Sequence, residues 1–327
     1  MRKIIRGTFR LFMGIAACMS FLVFDASSQN YPVKPIRIIV GFAPGGGADV
    51  IARMIAQKLS ENLGQPVVVE NRTGAGGSIA NERVAKSPPD GYAMLLTTAS
   101  ATILPALDAK LPYDLERDLA TVSLIAIGPL VLVVHPSVPA RSVKQLIAIA
   151  RSQPGKLNYG SSGVGGTGHL AGELFKLMSK VNIAHVPYKG GTESAIATAA
   201  GHVDMNFPSI PSALSLLEVR KIRPLAVTSE KRTSLMPSMP TISESGLLGY
   251  DRSGWYGMLV PAGVPKDIIA RLNELIGKVV NTPGMKESFI KQGLESQTTT
   301  PEKFAAFIRG EIAQNAKVVK LAGLKAE

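Results

Sequence analysis

From residue 36 onward, short apolar runs alternate with longer stretches in which apolar positions recur every three or four residues. The first pattern reads as a buried strand and the second as an amphipathic helix. Residues 36–40 (IRIIV) predict a strand, and residues 48–63 a helix with Ile51, Ile55, Leu59 and Leu63 on one face. The same reading gives strands at 66–70 and 93–98 and a helix at 78–85. Residues 119–135 are apolar, but Ser123, Gly128 and Pro129 interrupt them, which predicts two buried strands, the second at 131–135, rather than a membrane span. Strands at 156–160, 184–187, 202–207 and 223–228 then alternate with helices at 142–152, 168–178, 192–200 and 212–219. Ser142 and Gln145 form a capping box at the first of these helices. A strand at 255–260 and a helix at 266–280 follow, and Thr300 with Pro301 opens a final helix.

Strand–helix alternation of this kind predicts mostly parallel sheets with helices on both faces. In such sheets ligands bind at the carboxyl ends of strands. The strands at 36–40, 66–70 and 93–98 each end in a small, polar or glycine-rich loop. The order fits two α/β lobes joined by crossings near 125–131 and 248–257. The boundaries expected are 29–128 with 252–327 for one lobe and 129–251 for the other.

Two loops carry the candidate chemistry. Residues 42–49 (FAPGGGAD) and 161–168 (SSGVGGTG) each lie between a strand and a helix. Such turns offer bare backbone N–H groups at the positive end of a helix, a place for an anion. Facing each other across a cleft, they would grip one carboxylate.

Composition adds the compartment. Arg2, Lys3, Arg6 and Arg10 precede an apolar run at 11–24 and the small residues Ala26, Ser27 and Ser28, which reads as a secretory signal over residues 1–28. Its removal takes away four basic residues and Asp25, lowering the formal charge from +12 to +9. The single cysteine, Cys18, lies in that segment, so the exported chain carries no disulfide. Residues 15–18 (IAAC) resemble a lipoprotein cleavage box, but 19–24 stay apolar where a polar tether is expected, which favours ordinary cleavage.

Several phrases, in order, resemble one family: Pro44 to Asp49, Val69 to Arg72 with Gly74 to Gly77, Pro89 to Tyr92, Tyr159 to Gly163, His185 to Gly190, and Pro240 to Glu244. Together they resemble the Bug-type (TctC-like) periplasmic solute-binding proteins. The resemblance implies an α/β, two-lobed periplasmic binding fold of the type II kind that closes on its ligand. It implies a small carboxylate solute, no cofactor, no catalysis, and delivery to a membrane transporter of the tripartite tricarboxylate class. It also implies donation to the carboxylate from Ala43, Gly45, Gly46, Gly47 and Ala48 on one lobe and from Ser162, Gly165, Gly166 and Thr167 on the other.

Other candidates have a second, structural reading. Asp49 offsets the helix dipole or meets the ligand. Phe42 is core or a lid. Thr98, Ala99 and Ser100 form a third rim. His169 packs at a helix start or enters the site. Tyr188, beside Lys189, ends a strand of the second lobe. Asp204, inside an apolar strand, is a strut or a partner for a ligand amine, since a buried carboxylate needs partners. Trp255 reads as core. Residues 163–168 are a literal GxGxxG, but the next strand end supplies Tyr188 and Lys189 rather than the acid a nicotinamide ribose requires. A hydrolase would need a histidine to meet Ser162, and residues 160–163 lack the spacing of a nucleophile elbow. A ligand sensor signalling to a membrane receptor is the remaining alternative to uptake.

Overall fold

In the computed structural model, which describes residues 31–107, 110–233 and 236–324, the run IRIIV forms strand β1 (Ile36–Val40). The export segment expected at 1–28 lies outside the described residues. β1 runs parallel to β2 (Val67–Asn71) on one side and β3 (Ala93–Thr98) on the other. A parallel strand covered on both faces reads as a continuous apolar run. Helix α1 (Gly47–Leu63) follows β1 and buries Ile51, Ile55 and Leu59 completely. It stops at Gly64, whose left-handed φ of 62° lets its N–H reach Ser60 O.

A short 3-10 turn (Ala75–Gly77) leads into α2 (Ser78–Ala85), and α3 (Ser100–Leu107) follows β3. Next come β4 (Leu119–Pro129), β5 (Val131–Val134), α4 (Val143–Ser152), β6 (Asn158–Ser161) and α5 (Thr167–Ser179). β7 (Ala184–Pro187), α6 (Gly191–Ala199), β8 (Met205–Asn206), α7 (Ile210–Glu218) and β9 (Arg223–Val227) complete the middle of the chain. β10 (Ser253–Pro261), α8 (Lys266–Val280), α9 (Pro283–Lys291), β11 (Glu295–Ser296) and α10 (Pro301–Leu321) close it.

The strands make two sheets, ordered β11-β4-β10-β3-β1-β2 and β7-β6-β8-β5-β9. Neither is as parallel as the alternation predicts. β10 runs antiparallel to both β3 and β4, and β5 antiparallel to β8 and β9. The cause is the chain's route. β4 leads out of the first sheet and β10 returns beside it in the opposite sense, with Ser253 opposite Pro129 and Pro261 opposite Leu119. At this junction Leu130 N donates to Thr228 Oγ1 (2.8 Å) and Arg252 N donates to Thr228 O (2.8 Å), so Thr228 stitches the outgoing and returning segments together.

Each sheet has its own core. Ile39, Leu95, Leu124, Trp255, Leu259 and Phe304 pack in the first, and Leu132, Val134, Leu146, Tyr159, Phe175 and Met205 in the second. Phe304 lies directly over Gly257 of β10, where a side chain would collide with the ring, so the glycine makes the seat. Truncating a phenylalanine buried to this degree costs about 3–5 kcal/mol. The helices α3 and α9 were not expected, and the strand expected at 202–207 shortens to Met205–Asn206. Among the described residues no helix is long and apolar enough to cross a membrane.

Candidate functional site

The loop after β1 turns through Gly45, whose φ of 75° a side chain would strain, and ends at Gly46, the cap of α1. The loop after β6 does the same through Gly165 (φ 77°) and ends at Gly166, the cap of α5. Two further helices start nearby, α6 at the cap Gly190 and α7 at the cap Ser209. None of the four has a side-chain cap. Residues from all four starts line one chamber: Gly46, Gly47 and Ala48; Thr167 and Gly168; Gly191; Ser209 and Ser212.

A helix start carries N–H groups without an intrahelical acceptor and about half a positive charge. Four starts around one space amount to about +2, supplied without a cationic side chain. None of the described residues lining the chamber is Lys, Arg, His, Asp or Glu. Its volume is about 70 Å³ measured at water centres. That is room for about five waters, or a ligand of a few heavy atoms, at roughly 10–15 Å³ per water on this measure. Phe42, Phe207, Trp255 and Tyr256 supply flat apolar walls, and Thr98, Ser162 and Asn206 supply polar points. Burial raises the Tyr256 phenol pKa, partly offset by its hydrogen bond to Ser209, which leaves it a neutral donor at physiological pH.

Of the residues singled out in the sequence, Phe42, Gly46, Gly47, Ala48, Thr98, Ser162 and Thr167 lie on the chamber wall. Ala43, Gly45, Asp49, Ala99, Ser100, Gly165, Gly166, His169, Tyr188 and Asp204 do not. Several of these hold the wall in place instead. Asp49 is buried and accepts from Gly45 N (2.9 Å), Arg53 Nε (2.8 Å) and Asn71 Nδ2 (2.9 Å), which ties the loop after β1 to α1 and β2. Burial pushes its pKa up, but the bonds from Arg53, Gly45 and Asn71 outweigh that and hold it below the ordinary carboxylate value. Ser100 Oγ pairs with Thr98 Oγ1 at 2.9 Å. Asp204 Oδ2 accepts from Asn158 N (2.8 Å), a strut between the approach to β8 and the start of β6.

His169 sits under the second loop. Its Nδ1 accepts from Gly165 N (3.2 Å), and its ring stacks on His185 with centroids 4.2 Å apart. Below them Tyr159 Oη donates to Glu173 Oε1 (2.6 Å), which also takes Lys176 Nζ (2.8 Å). Burial, with His169 and Lys176 nearby, pushes the His185 pKa down to about 3, so His185 is neutral. His185 Nε2 meets Ser161 Oγ at 2.7 Å. That is the serine–histidine contact a hydrolase would need, but on the neighbouring serine. Ser161 is 1% exposed, absent from the chamber wall, and also bonded to Gly163 O and Gly163 N.

Sequence reasoning missed Gly191, Asn206, Ser209, Ser212 and Tyr256, all on the chamber wall, and read Trp255 only as core. Ser209 and Ser212 are ordinary helix-start residues, and the one signal available was the pairing of Ser209 with Pro211 at a helix start. A second cavity of about 410 Å³ adjoins the chamber. Gly74 to Gly77, Ser162 to Val164, Pro187 to Lys189, and Glu193 line it, together with Gly41 and Phe42. Tyr188 belongs to this space. No cluster of His, Cys, Asp and Glu suited to a metal occurs among the described residues.

Comparison with known proteins gives the same picture. BugT of Bordetella pertussis is 36% identical over 315 residues, covering 96% of this chain and 97% of BugT. The solved structure of R. palustris Rpa4515 with adipate superposes with a TM-score of 0.88 at 38% identity, over 90% of this chain and 99% of that one. The periplasmic binding protein BugD superposes with a TM-score of 0.87 at 30% identity, over 91% of this chain and 100% of BugD. The fold is thus the two-lobed one of periplasmic binding proteins. Residues 51–324 match the family described as "Tripartite tricarboxylate transporter family receptor", TctC, and with this site between its two sheets the chain belongs to that family of solute-binding proteins.

Proposed function

We propose that this chain is an exported, non-catalytic receptor that captures a small carboxylate by closing two lobes and hands it to a tripartite tricarboxylate-type transporter in the membrane. The moving bodies are residues 29–128 with 252–327 and residues 129–251. The observation that carries this reading is the convergence of four uncapped helix starts on a chamber with no charged side chain. Such a space favours an anion and offers it no general acid or base of perturbed pKa apart from the neutral Tyr256. The adipate bound by the 38%-identical Rpa4515 supports a carboxylate ligand. A hydrogen bond to a charged group contributes about 1.5–3 kcal/mol. A few of them, after the costs of binding and closure, leave micromolar affinity, about −8 kcal/mol.

The test is a thermal-shift screen of carboxylic acids on refolded, ligand-free protein, followed by calorimetry on wild type and Gly46→Asp. An acid that binds raises the melting temperature. An added Cβ would stand 3.2 Å from Ala43 O, a tight contact that needs a few tenths of an ångström of give in the loop, and 4.0 Å from Thr192 Oγ1. With that adjustment the new carboxylate stands at the chamber wall and repels the ligand, and a denaturation midpoint near that of wild type checks that the variant is folded. No response to any acid, or unchanged affinity in Gly46→Asp, sinks the reading. Uptake of the acid into membrane vesicles bearing a tripartite transporter, dependent on added receptor, tests delivery.

A further inference from the structure

We propose that the ligand space is bipartite, with Phe42 dividing the inner chamber from an outer compartment that receives the distal anionic end of longer acids beside Lys189. The inference depends on the carboxylate reading above. Among the described residues, only Phe42 and Ser162 line both cavities. The inner one, about 70 Å³, holds a head group and little more, while the outer one, about 410 Å³, stands beside it.

Phe42 is built to be a movable partition. Its backbone is pinned by Asn71 Nδ2 donating to Phe42 O at 2.9 Å. Its ring edge rests against Gly77, 3.6 Å from where a Cβ would stand. A fixed backbone leaves the side chain its staggered rotamers, and a glycine neighbour leaves space to exchange them. Beyond the ring, Gly74, Gly76, Gly77 and Gly163 line the outer compartment, so no side chain from these positions fills it. Lys189 and Glu193 are its only formal charges among the described lining residues. Glu193 Oε2 accepts from the Lys189 backbone N–H at 3.0 Å, and Lys189 itself is exposed. An exposed ammonium at the outer wall suits a carboxylate arriving from the inner chamber.

The experiment measures calorimetric affinities of wild type, Phe42→Ala and Lys189→Gln for straight-chain α,ω-dicarboxylates from succinate to sebacate. Matching monocarboxylates and ω-amino acids are the controls. Phe42→Ala is expected to shift the ratio of long-acid to short-acid affinity by about tenfold toward the long acids. Lys189→Gln is expected to weaken long diacids several-fold more than short ones, with no such bias among monocarboxylates. Loss of affinity at all lengths alike in Phe42→Ala, or an unbiased Lys189→Gln, overturns the inference while the carboxylate reading stands. A long ω-amino acid that outbinds its diacid also overturns it, because Glu193 would then be the recognising group. If wild type binds no acid at all, the carboxylate reading falls and takes this one with it. Should Phe42→Ala fail to fold, the exposed Lys189→Gln variant decides alone.

Discussion

The Gly47 N–H donates to Ser212 Oγ at 3.1 Å, although 165 positions separate the two residues. A second bond of the same kind runs from Thr192 Oγ1 to Gly45 O at 3.0 Å. Both join the loop after β1 to helix starts of the other sheet. The two sheets therefore meet through hydrogen bonds of their own around the chamber. One consequence concerns the ligand. The Gly47 amide, expected to face the carboxylate, is taken by Ser212, which leaves the next first-turn amides of α1, starting with Ala48, for the anion.

Gly47→Ala is expected to weaken ligand binding by crowding the seam where the two lobes would meet. An added Cβ would stand 2.9 Å from Ser209 Oγ and 3.3 Å from Ser212 Oγ, which belong to the other sheet's helix start, and 2.6 Å from Tyr256 Oη, which belongs to the same sheet as β1. Within α1 itself alanine is a better helix former than glycine, by about 1 kcal/mol. Ligand affinity should fall about tenfold or more, while the clash with buried Tyr256 and the helix gain of alanine act in opposite directions on the unfolding midpoint of the ligand-free protein. Calorimetry and chemical denaturation read the two effects separately, and an affinity equal to wild type would show that Gly47 does not stand at the closing surface.

Ser212→Ala and Thr192→Val remove the two cross-jaw bonds without adding bulk. A neutral hydrogen bond contributes about 0.5–1.5 kcal/mol. On the proposed closure these bonds form as the lobes meet, so each loss should lower ligand affinity by roughly twofold to tenfold. The radius of gyration at saturating ligand should match wild type, and at low ligand it should be larger. Small-angle scattering across a titration checks both, and a wild-type curve from the double variant would rule out the latch.

Much of this arrangement was legible in the sequence, and the remainder was hidden for identifiable reasons. The α1 and α5 starts announced themselves because each follows a short extended run with a cluster of glycines that nothing but a tight turn requires. The α7 start did not, because Ser209 and Ser212 are also what any exposed helix start looks like. Trp255 reads as core and Tyr256 gives no separate signal because both lie in an apolar strand, and both are indeed buried; their second role depends on which residues β10 faces. The antiparallel pairing of β10 with β4 was hidden because over a hundred residues separate the partners. Helix α9 carries Thr282 and Pro283, the same start signal that located α10 at Thr300 and Pro301, and it was overlooked rather than hidden. Pro105 masked α3.

Asp49 is expected to matter through the loop it anchors. Replacing it with alanine strands the Gly45 N–H and takes one acceptor each from the Asn71 amide and the Arg53 guanidinium, which keep their bonds to Phe42 O and Asn71 Oδ1 respectively. Removing one partner of a buried charged network costs about 3–5 kcal/mol. Arg53 is about half exposed and recovers water, so the loss should fall at the lower end or below. Asp49→Asn keeps one acceptor oxygen and should lose less than Asp49→Ala. Denaturant midpoints of the three proteins give the ranking. Equal stability of wild type and Asp49→Ala would show that the anchoring is dispensable.

The buried His185 should make stability depend on pH. Unfolded, it takes up a proton near its ordinary value of 6.5; folded, among Tyr159, His169, Lys176 and Ser161, it resists protonation down to about 3. Between those values the unfolded chain binds more protons, so stability rises with pH and is lost as pH falls. The slope from this one site approaches ~1.4 kcal/mol per pH unit within the window. Asp49 acts lower down. Its pKa is held beneath the ordinary 3.8, so its contribution is lost only as pH falls through that region. His185→Gln removes the upper dependence and leaves the lower one. Unfolding free energies of wild type and His185→Gln, measured from neutral pH downward, should therefore converge as pH falls below about 6.5, because wild type loses a term the variant never had. Parallel profiles would mean that His185 titrates alike in both states, and the stack under the second loop would then lack the burial that sets its charge.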